Sequence, residues 1–286
     1  MNVYKTENIR NVILLGHGGA GKTTLVEGMA FTTKITTRMG TIADGNTISD
    51  FDKEEIKRQF SINSNVIPIE FDGIKINILD TPGYFDFVGA QEECLGVADA
   101  AVIVIDAKAG IEVGTVRAWE MCEKYELPRI IYVSGMDNPD VDYIALVQNL
   151  KDTFGKRIAP FHFPIIEGGQ LVGYDNVIRK AGRRYKADGS YDIVDVPEDI
   201  VPELEEARSM ILEAVAETSE ELMEKYFEGE DFTLEEIMGA LKNSVIDADI
   251  IPVQIGASTK NYGPKMVLES IERYFPSPDK SPVKKY

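Results

Sequence analysis

The run Gly16-His17-Gly18-Gly19-Ala20-Gly21-Lys22-Thr23 matches G-x-x-x-x-G-K-[ST] at every fixed position. Each fixed residue has a chemical reason. Glycines let successive backbone N–H groups turn inward around a polyphosphate, and the positive end of the following helix adds to their pull. Lys22 reaches the β- and γ-phosphates, and the Thr23 hydroxyl ligates Mg²⁺. A glycine-rich turn without a ligand is the plain alternative, but it requires neither the Lys-Thr pair nor a strand before and a helix after. The sequence therefore predicts a nucleoside triphosphate held along residues 16–24, from Gly16 to Thr24.

Asp80-Thr81-Pro82-Gly83 follows the apolar run 74–79, which puts Asp80 at a strand end. A carboxylate there can hold Mg²⁺ through water, and the Gly83 amide can meet a γ-phosphate. The same four residue types also make an ordinary turn. Placed roughly 60 residues after a phosphate loop, they read as a switch that senses the third phosphate.

The elements that must carry these residues alternate in type. Apolar runs predict strands at 11–15, 65–71, 75–79, 101–105 and 129–133, with helices at 22–31, 113–124 and 140–154. That order predicts an α/β fold with a mostly parallel sheet and helices on both faces. Asp72-Gly73 marks a hairpin, so one edge strand runs antiparallel. Residues 34–64 are polar and without clear period, a loop long enough to be functional or mobile. From about 157 the pattern changes to short strands at 163–167, 171–174 and 184–185, an acidic helical segment at 198–227 and a helix from Thr233. A buried strand at 250–255 and a helix at 264–274 close the chain. The economical reading is a nucleotide domain, 1–157 and 249–286, interrupted by an inserted subdomain at 158–248.

Bulk properties set limits. The chain has 286 residues, 44% hydrophobic and 27% charged, ordinary values for a soluble globular protein. No apolar run nears the ~20 residues that span a bilayer, and residues 1–10 lack a signal-peptide core. Cys94 and Cys122 have no C-x-x-C spacing and read as reduced structural thiols in a cytoplasmic setting. A net charge of −18 argues against broad or sequence-specific contact with nucleic acid and for partners with a basic face. His162 reads as an ordinary strand residue, and Asp106, at a strand end, as a turn cap rather than a carboxylate partner of Asp86.

Taken together, the phosphate loop, Asp80-Thr81-Pro82-Gly83-Tyr84-Phe85-Asp86-Phe87, the segment 102–110 (V-I-V-I-D-A-K-A-G) and Tyr262-Gly263 before the last helix resemble the GTP-binding domain of translational GTPases. The resemblance is nearest to elongation factor G or a paralogue of it, and it covers nearly the whole chain. It implies a P-loop GTPase fold, GTP/GDP and Mg²⁺ as ligands, and a very low intrinsic rate raised by the ribosome. It also implies that 158–248 corresponds to the extra subdomain of elongation factor G, shared with release factor 3. Several further domains would follow, so the chain reads as a fragment. Alternatives are a nucleotide-dependent ribosome-binding module with little hydrolysis, or a ribosome protection protein. Between Glu198 and Glu236 stand 15 acidic residues against Arg208 and Lys225. A solvated helix face accounts for them, and the resemblance adds a second reading as the surface that meets the ribosomal stalk protein.

The departures from the family's pattern bear on the site. R-G-I-T-I, whose Thr ligates Mg²⁺, is here R-Q-F-S-I, so Ser61 takes that place. Gly19 stands where an Asp is frequent. Tyr84 replaces the His that positions the attacking water, and two readings stay open: an altered water-positioning group, or a ring packed over the site. N-K-x-D is here Ser134-Gly135-Met136-Asp137: Asp137, which reads guanine, survives, the Lys stem is lost, and Ser134 is a shorter buttress. The last motif reads Gly256-Ala257-Ser258-Thr259, where an amide near Ala257 or Ser258 is expected to meet guanine O6. His17 matches a family His with an expected structural role.

Overall fold

The structure, a computed structural model, describes residues 2–186 and 191–282. The chain runs β1 (Ile9–Leu15), α1 (Lys22–Thr32), α2 (Lys53–Arg58), β2 (Asn65–Phe71), β3 (Ile74–Asp80), α3 (Val88–Leu95), β4 (Ala100–Asp106), α4 (Val113–Lys124), β5 (Arg129–Ser134), α5 (Tyr143–Phe154) and β6 (Ile158–Pro160). A second group follows: β7 (His162–Glu167), β8 (Gln170–Asn176), β9 (Ala181–Tyr185), β10 (Tyr191–Val194), α6 (Val201–Ala216), α7 (Glu220–Glu228) and α8 (Leu234–Ile246). Last come β11 (Ile251–Ile255) and α9 (Pro264–Tyr274).

Seven strands form the main sheet in the order β2-β3-β1-β4-β5-β11-β6. All pair in parallel except β2, which folds back on β3. Asp72 and Gly73 at that turn both have positive φ, 43° and 82°, the backbone twist a tight hairpin requires. The central strands β1, β4 and β5 are buried along nearly their whole length, as expected of β-branched runs covered by helices on both faces. The sheet continues through residue 160, where Ile158 lies in register with Ile251. Strands β7 to β10 form a separate antiparallel sheet in the order β10-β9-β8-β7. Tyr185 of that sheet stacks on Tyr262, 4.1 Å between ring centres, tying it to the loop after β11.

Two differences from the sequence reading have local causes. The acidic segment is two helices, because Ser219 breaks out of helical geometry and caps α7 by accepting from Leu222 N at 3.2 Å. The polar stretch 34–64 is not featureless. It contains α2, capped reciprocally by Asp52 and Glu55, a short helix whose Asp-x-x-Glu start was readable in the sequence. Two carboxylates, each 1% exposed, hold this stretch in place. Glu27 of α1 accepts from Gly40 N at 2.8 Å and from Ile48 N. Glu55 accepts from Ile62 N at 3.0 Å and Asn63 N at 2.9 Å. Buried carboxylates are costly unless hydrogen-bonded, and these two meet that cost with backbone N–H donors, so each one fixes the backbone around it. Cys94 and Cys122 are free thiols, and burial pushes Cys122 up to about 12.

Candidate functional site

Parallel α/β sheets present their loops at the carboxyl ends of the strands, and the loops after β1, β3, β5 and β11 meet there. The turn from β1 into α1 is built on glycines with φ of 140° (Gly16), 84° (Gly19) and 97° (Gly21). Gly16 is required twice over: besides its φ, a Cβ there would lie 2.3 Å from the Val104 carbonyl oxygen. Lys22, 6% exposed, bends back over this loop and donates to Gly16 O at 3.0 Å and His17 O at 2.8 Å. Burial pulls its ammonium down to about 8, against the opposing pull of Asp80 and then Asp50.

The three residues expected at a cation converge beside it. Thr23 Oγ1 donates to Asp80 Oδ2 at 2.9 Å and lies 3.3 Å from Ser61 Oγ. Ser49 Oγ also donates to Asp80 Oδ2, at 2.6 Å. Asp80 is 1% exposed, and burial holds its carboxyl above the usual carboxylate range. Asp50, likewise buried, faces the same corner. Oδ1 of Asp80 and Oδ1 of Asp50 are buried and carry no hydrogen bond among the described residues. Unpaired buried carboxylate oxygens beside two hydroxyls are the donor set of a hard cation, so the residues present fit Mg²⁺. Ser49 and Asp50 were not among the residues singled out from sequence. They lie in an aperiodic stretch that is held here by Glu27 and Glu55 and by Asn65 Nδ2, which donates to Ser49 O at 2.9 Å.

Asp50 gives a pH-dependent expectation. Burial raises its carboxyl from 3.8 to about 6, so between those values the folded chain binds more protons than the unfolded one. Its contribution to stability is therefore greatest below pH 3.8 and declines as pH rises to about 6. Without divalent cation, the difference in melting temperature between wild type and Asp50→Asn should narrow on acidification through this window. A difference that is flat from about pH 4 to 7 would mean that Asp50 is ionised in the fold.

Thr81 Oγ1 donates to Leu14 O at 2.6 Å and pins the segment after β3 to β1. Gly83 then passes so close to the phosphate loop that a Cβ would lie 2.5 Å from Lys22 Nζ and 2.6 Å from Gly18 N. The Tyr84 ring lies on Gly18, within 2.7–2.9 Å of where a Cβ at that glycine would sit. Phe60 meets the same ring edge-on at 4.9 Å. Gly18, Gly19, Gly21, Lys22, Thr23, Thr24, Asp50, Ser61, Gly83 and Tyr84 thus line one cavity of about 110 Å³. That is room for a phosphate group and well below the roughly 300–1,000 Å³ of a whole small-molecule site.

The base loop is assembled from β5 and β11. Ser134 Oγ donates to Ala20 O at 2.6 Å, so the short hydroxyl does reach the phosphate loop and joins the two loops. Met136 N donates to Gly256 O at 3.0 Å, and Asp137 pairs with Lys260 at 3.1 Å. Of the two expected base-facing amides, that of Ala257 donates to Tyr262 O at 2.9 Å. Ser258 is held by Tyr132, hydroxyl to hydroxyl at 2.8 Å. The His17 ring turns away from the cavity: Nδ1 accepts from Gly114 N at 3.3 Å and Nε2 lies 3.4 Å from Glu112. Its side chain serves packing against α4, and only its backbone stays in the loop. Asp106 caps its turn, accepting from Lys108 N and Ala109 N at 3.0 and 2.9 Å.

Among the described residues, no helix is long and apolar enough to cross a membrane. Residues 7–277 match the Elongation factor Tu GTP binding domain family. A solved crystal structure of a protein from Thermus thermophilus superposes with a TM-score of 0.89 at 37% sequence identity. The match covers 96% of this chain and 41% of that one.

Proposed function

The chain belongs to the elongation factor Tu GTP binding domain family, and from that premise we propose that it is the GTPase domain of an elongation factor G-like protein, stimulated by the ribosome. The observation that carries the reading is the convergence of Thr23, Ser61 and Asp80 beside Lys22, with Gly83 directly above. In this reading the inserted subdomain starts after β6 rather than at 158, because residues 158–160 pair with β11 in the main sheet, and it runs to 248, with the acidic faces of α6 and α7 meeting the stalk protein.

Hydrolysis transfers the γ-phosphoryl group to water, and the electron pair of the broken P–O bond stays on GDP. Lys22 and the amides of the loop at 16–23 would neutralise the β- and γ-oxygens as that charge develops. Thr23 and Ser61 would hold Mg²⁺ by their hydroxyls, with Asp80 and Asp50 behind them. The ion supplies charge neutralisation between the phosphates when bound. The Gly83 amide would donate to the γ-phosphate and so set the position of Tyr84, which takes the water-positioning place. Asp137 and the Ser258 amide would read guanine.

A second reading, a binding module with little hydrolysis, is favoured by one observation: the Tyr84 ring rests on Gly18 rather than standing free over the loop. Single-turnover GTP hydrolysis by the full-length protein, with and without ribosomes, separates the two. We expect slow turnover alone and stimulation of at least about 100-fold with ribosomes, the scale of completing an electrostatic site. Nucleotide binding without stimulation at saturating ribosomes selects the binding module.

A further inference from the structure

We propose that Lys260 is a positioning residue for base recognition: its ammonium, 3.1 Å from Asp137 Oδ2, holds that carboxylate in the orientation that reads guanine. The inference rests on the guanine-nucleotide reading above. Guanine presents N1–H and N2–H side by side, and a carboxylate accepts both only when its plane is aligned with them. Asp137 must therefore be kept from rotating before the base arrives.

Its own loop does little to keep it there. Residue 135 is a glycine at φ 69°, a turn made without a side chain, and the Ser134 hydroxyl is committed to Ala20 O. The bond from Met136 N to Gly256 O fixes the backbone but leaves the Asp137 side chain free to turn. Lys260 supplies the missing restraint from the opposite loop. It stands at the end of a tight turn, its N–H donating to Ala257 O at 2.9 Å and Asn261 following at φ 58°. The turn aims the lysine at the base loop. An ionised carboxylate has about four acceptor positions, so one ammonium contact leaves enough for both base donors.

Exposure argues for orientation rather than stability. The Lys260 side chain is 42% exposed and that of Asp137 24%, a setting where an ion pair adds little to folding. Deleting the charge should thus change base recognition and leave the melting temperature in place. It should also act on guanine alone, because a general attraction for phosphates would strengthen all nucleotides equally.

The test is titration of fluorescently labelled GDP, ADP and xanthosine diphosphate (XDP) into the full-length wild type, Lys260→Met, Lys260→Arg, Asp137→Asn and the double variant Asp137→Asn/Lys260→Met. Methionine keeps the apolar stem and removes the charge. We expect Lys260→Met to weaken GDP about fivefold, the scale of one coupled polar contact, with ADP unchanged. Lys260→Arg should restore most of the loss. Asp137→Asn should favour XDP, whose base has oxygen at C2 for the asparagine N–H₂ to meet. In that background Lys260→Met should alter XDP binding less than twofold, since the carboxylate it orients is gone. A GDP preference untouched by Lys260→Met, or equal weakening of GDP and ADP, overturns the role of Lys260 alone. Equal affinity of the wild type for GDP and ADP overturns the guanine reading and this inference with it.

Discussion

Gly83→Ala is expected to lower the proposed ribosome-stimulated GTP hydrolysis about 100-fold while changing GDP affinity less than about threefold. The reason is steric and local. The added Cβ would meet Lys22 Nζ at 2.5 Å, Gly18 N at 2.6 Å and Gly18 Cα at 2.7 Å. The lysine end can swing aside, but the Gly18 backbone belongs to the phosphate loop and cannot. The segment after Asp80 must therefore lift by the order of 1 Å, and a displacement of that size at a reacting centre costs about 100-fold in rate. Gly83 does not occupy a left-handed conformation, so alanine brings no backbone strain of its own. The melting temperature should barely move, which separates a switch defect from a folding defect. A diphosphate lacks the group that Gly83 would meet, hence its near-normal affinity. Stimulated single-turnover rates equal to wild type would remove Gly83 from the mechanism.

Lys22→Met is expected to weaken Mg²⁺·GTP by at least about 100-fold, measured calorimetrically. Two charge-assisted contacts to phosphate oxygens, at about 1.5 kcal/mol each, account for that factor. Methionine matches the length of the buried stem, so the loop keeps its filling. The pH dependence tests the charge directly. In the free protein burial leaves the ammonium at about 8, and bound phosphates raise it. A cation with a lower value free than bound contributes its full share of affinity below about pH 8 and loses it progressively above. Wild-type affinity should therefore fall as pH rises above about 8, and this decline should be absent in Lys22→Met. A parallel decline in the variant would assign the titration to another group.

Much of the architecture was legible because its signals are short-range. The strand at 65–71 and the helices at 113–124 and 264–274 have the bounds that apolar period and turn residues predict. The antiparallel edge followed from Asp72-Gly73 alone. Elements of one or two turns were missed. α3 carries a glycine and little apolar period, and β6 has three residues, too few for any pattern to register. The break in the acidic segment depended on a single capping serine at 219.

At the site the division follows sequence distance. The glycines, Lys22, Thr23, Asp80 and Gly83 belong to two local motifs whose spacing alone states their chemistry, and Ser61 and Asp137 followed by resemblance to a family. Ser49, Asp50 and Lys260 belong to no motif. Ser49 and Asp50 depend on a loop whose path is set by Glu27 and Glu55. Lys260 depends on a turn that β11 delivers beside β5. The resting place of Tyr84 was open in the sequence for the same reason: Gly18, the residue it lies on, is far away along the chain and meets it only once β1 and β3 are paired. The groups proposed to bind phosphate could be read from the chain alone, because a loop and the helix after it are contiguous and their backbone donors need no distant partner. The neighbours of Asp80, the ring resting on Gly18 and the lysine beside Asp137 emerged only from the folded chain, because those contacts join segments whose meeting depends on the order of strands in the sheet.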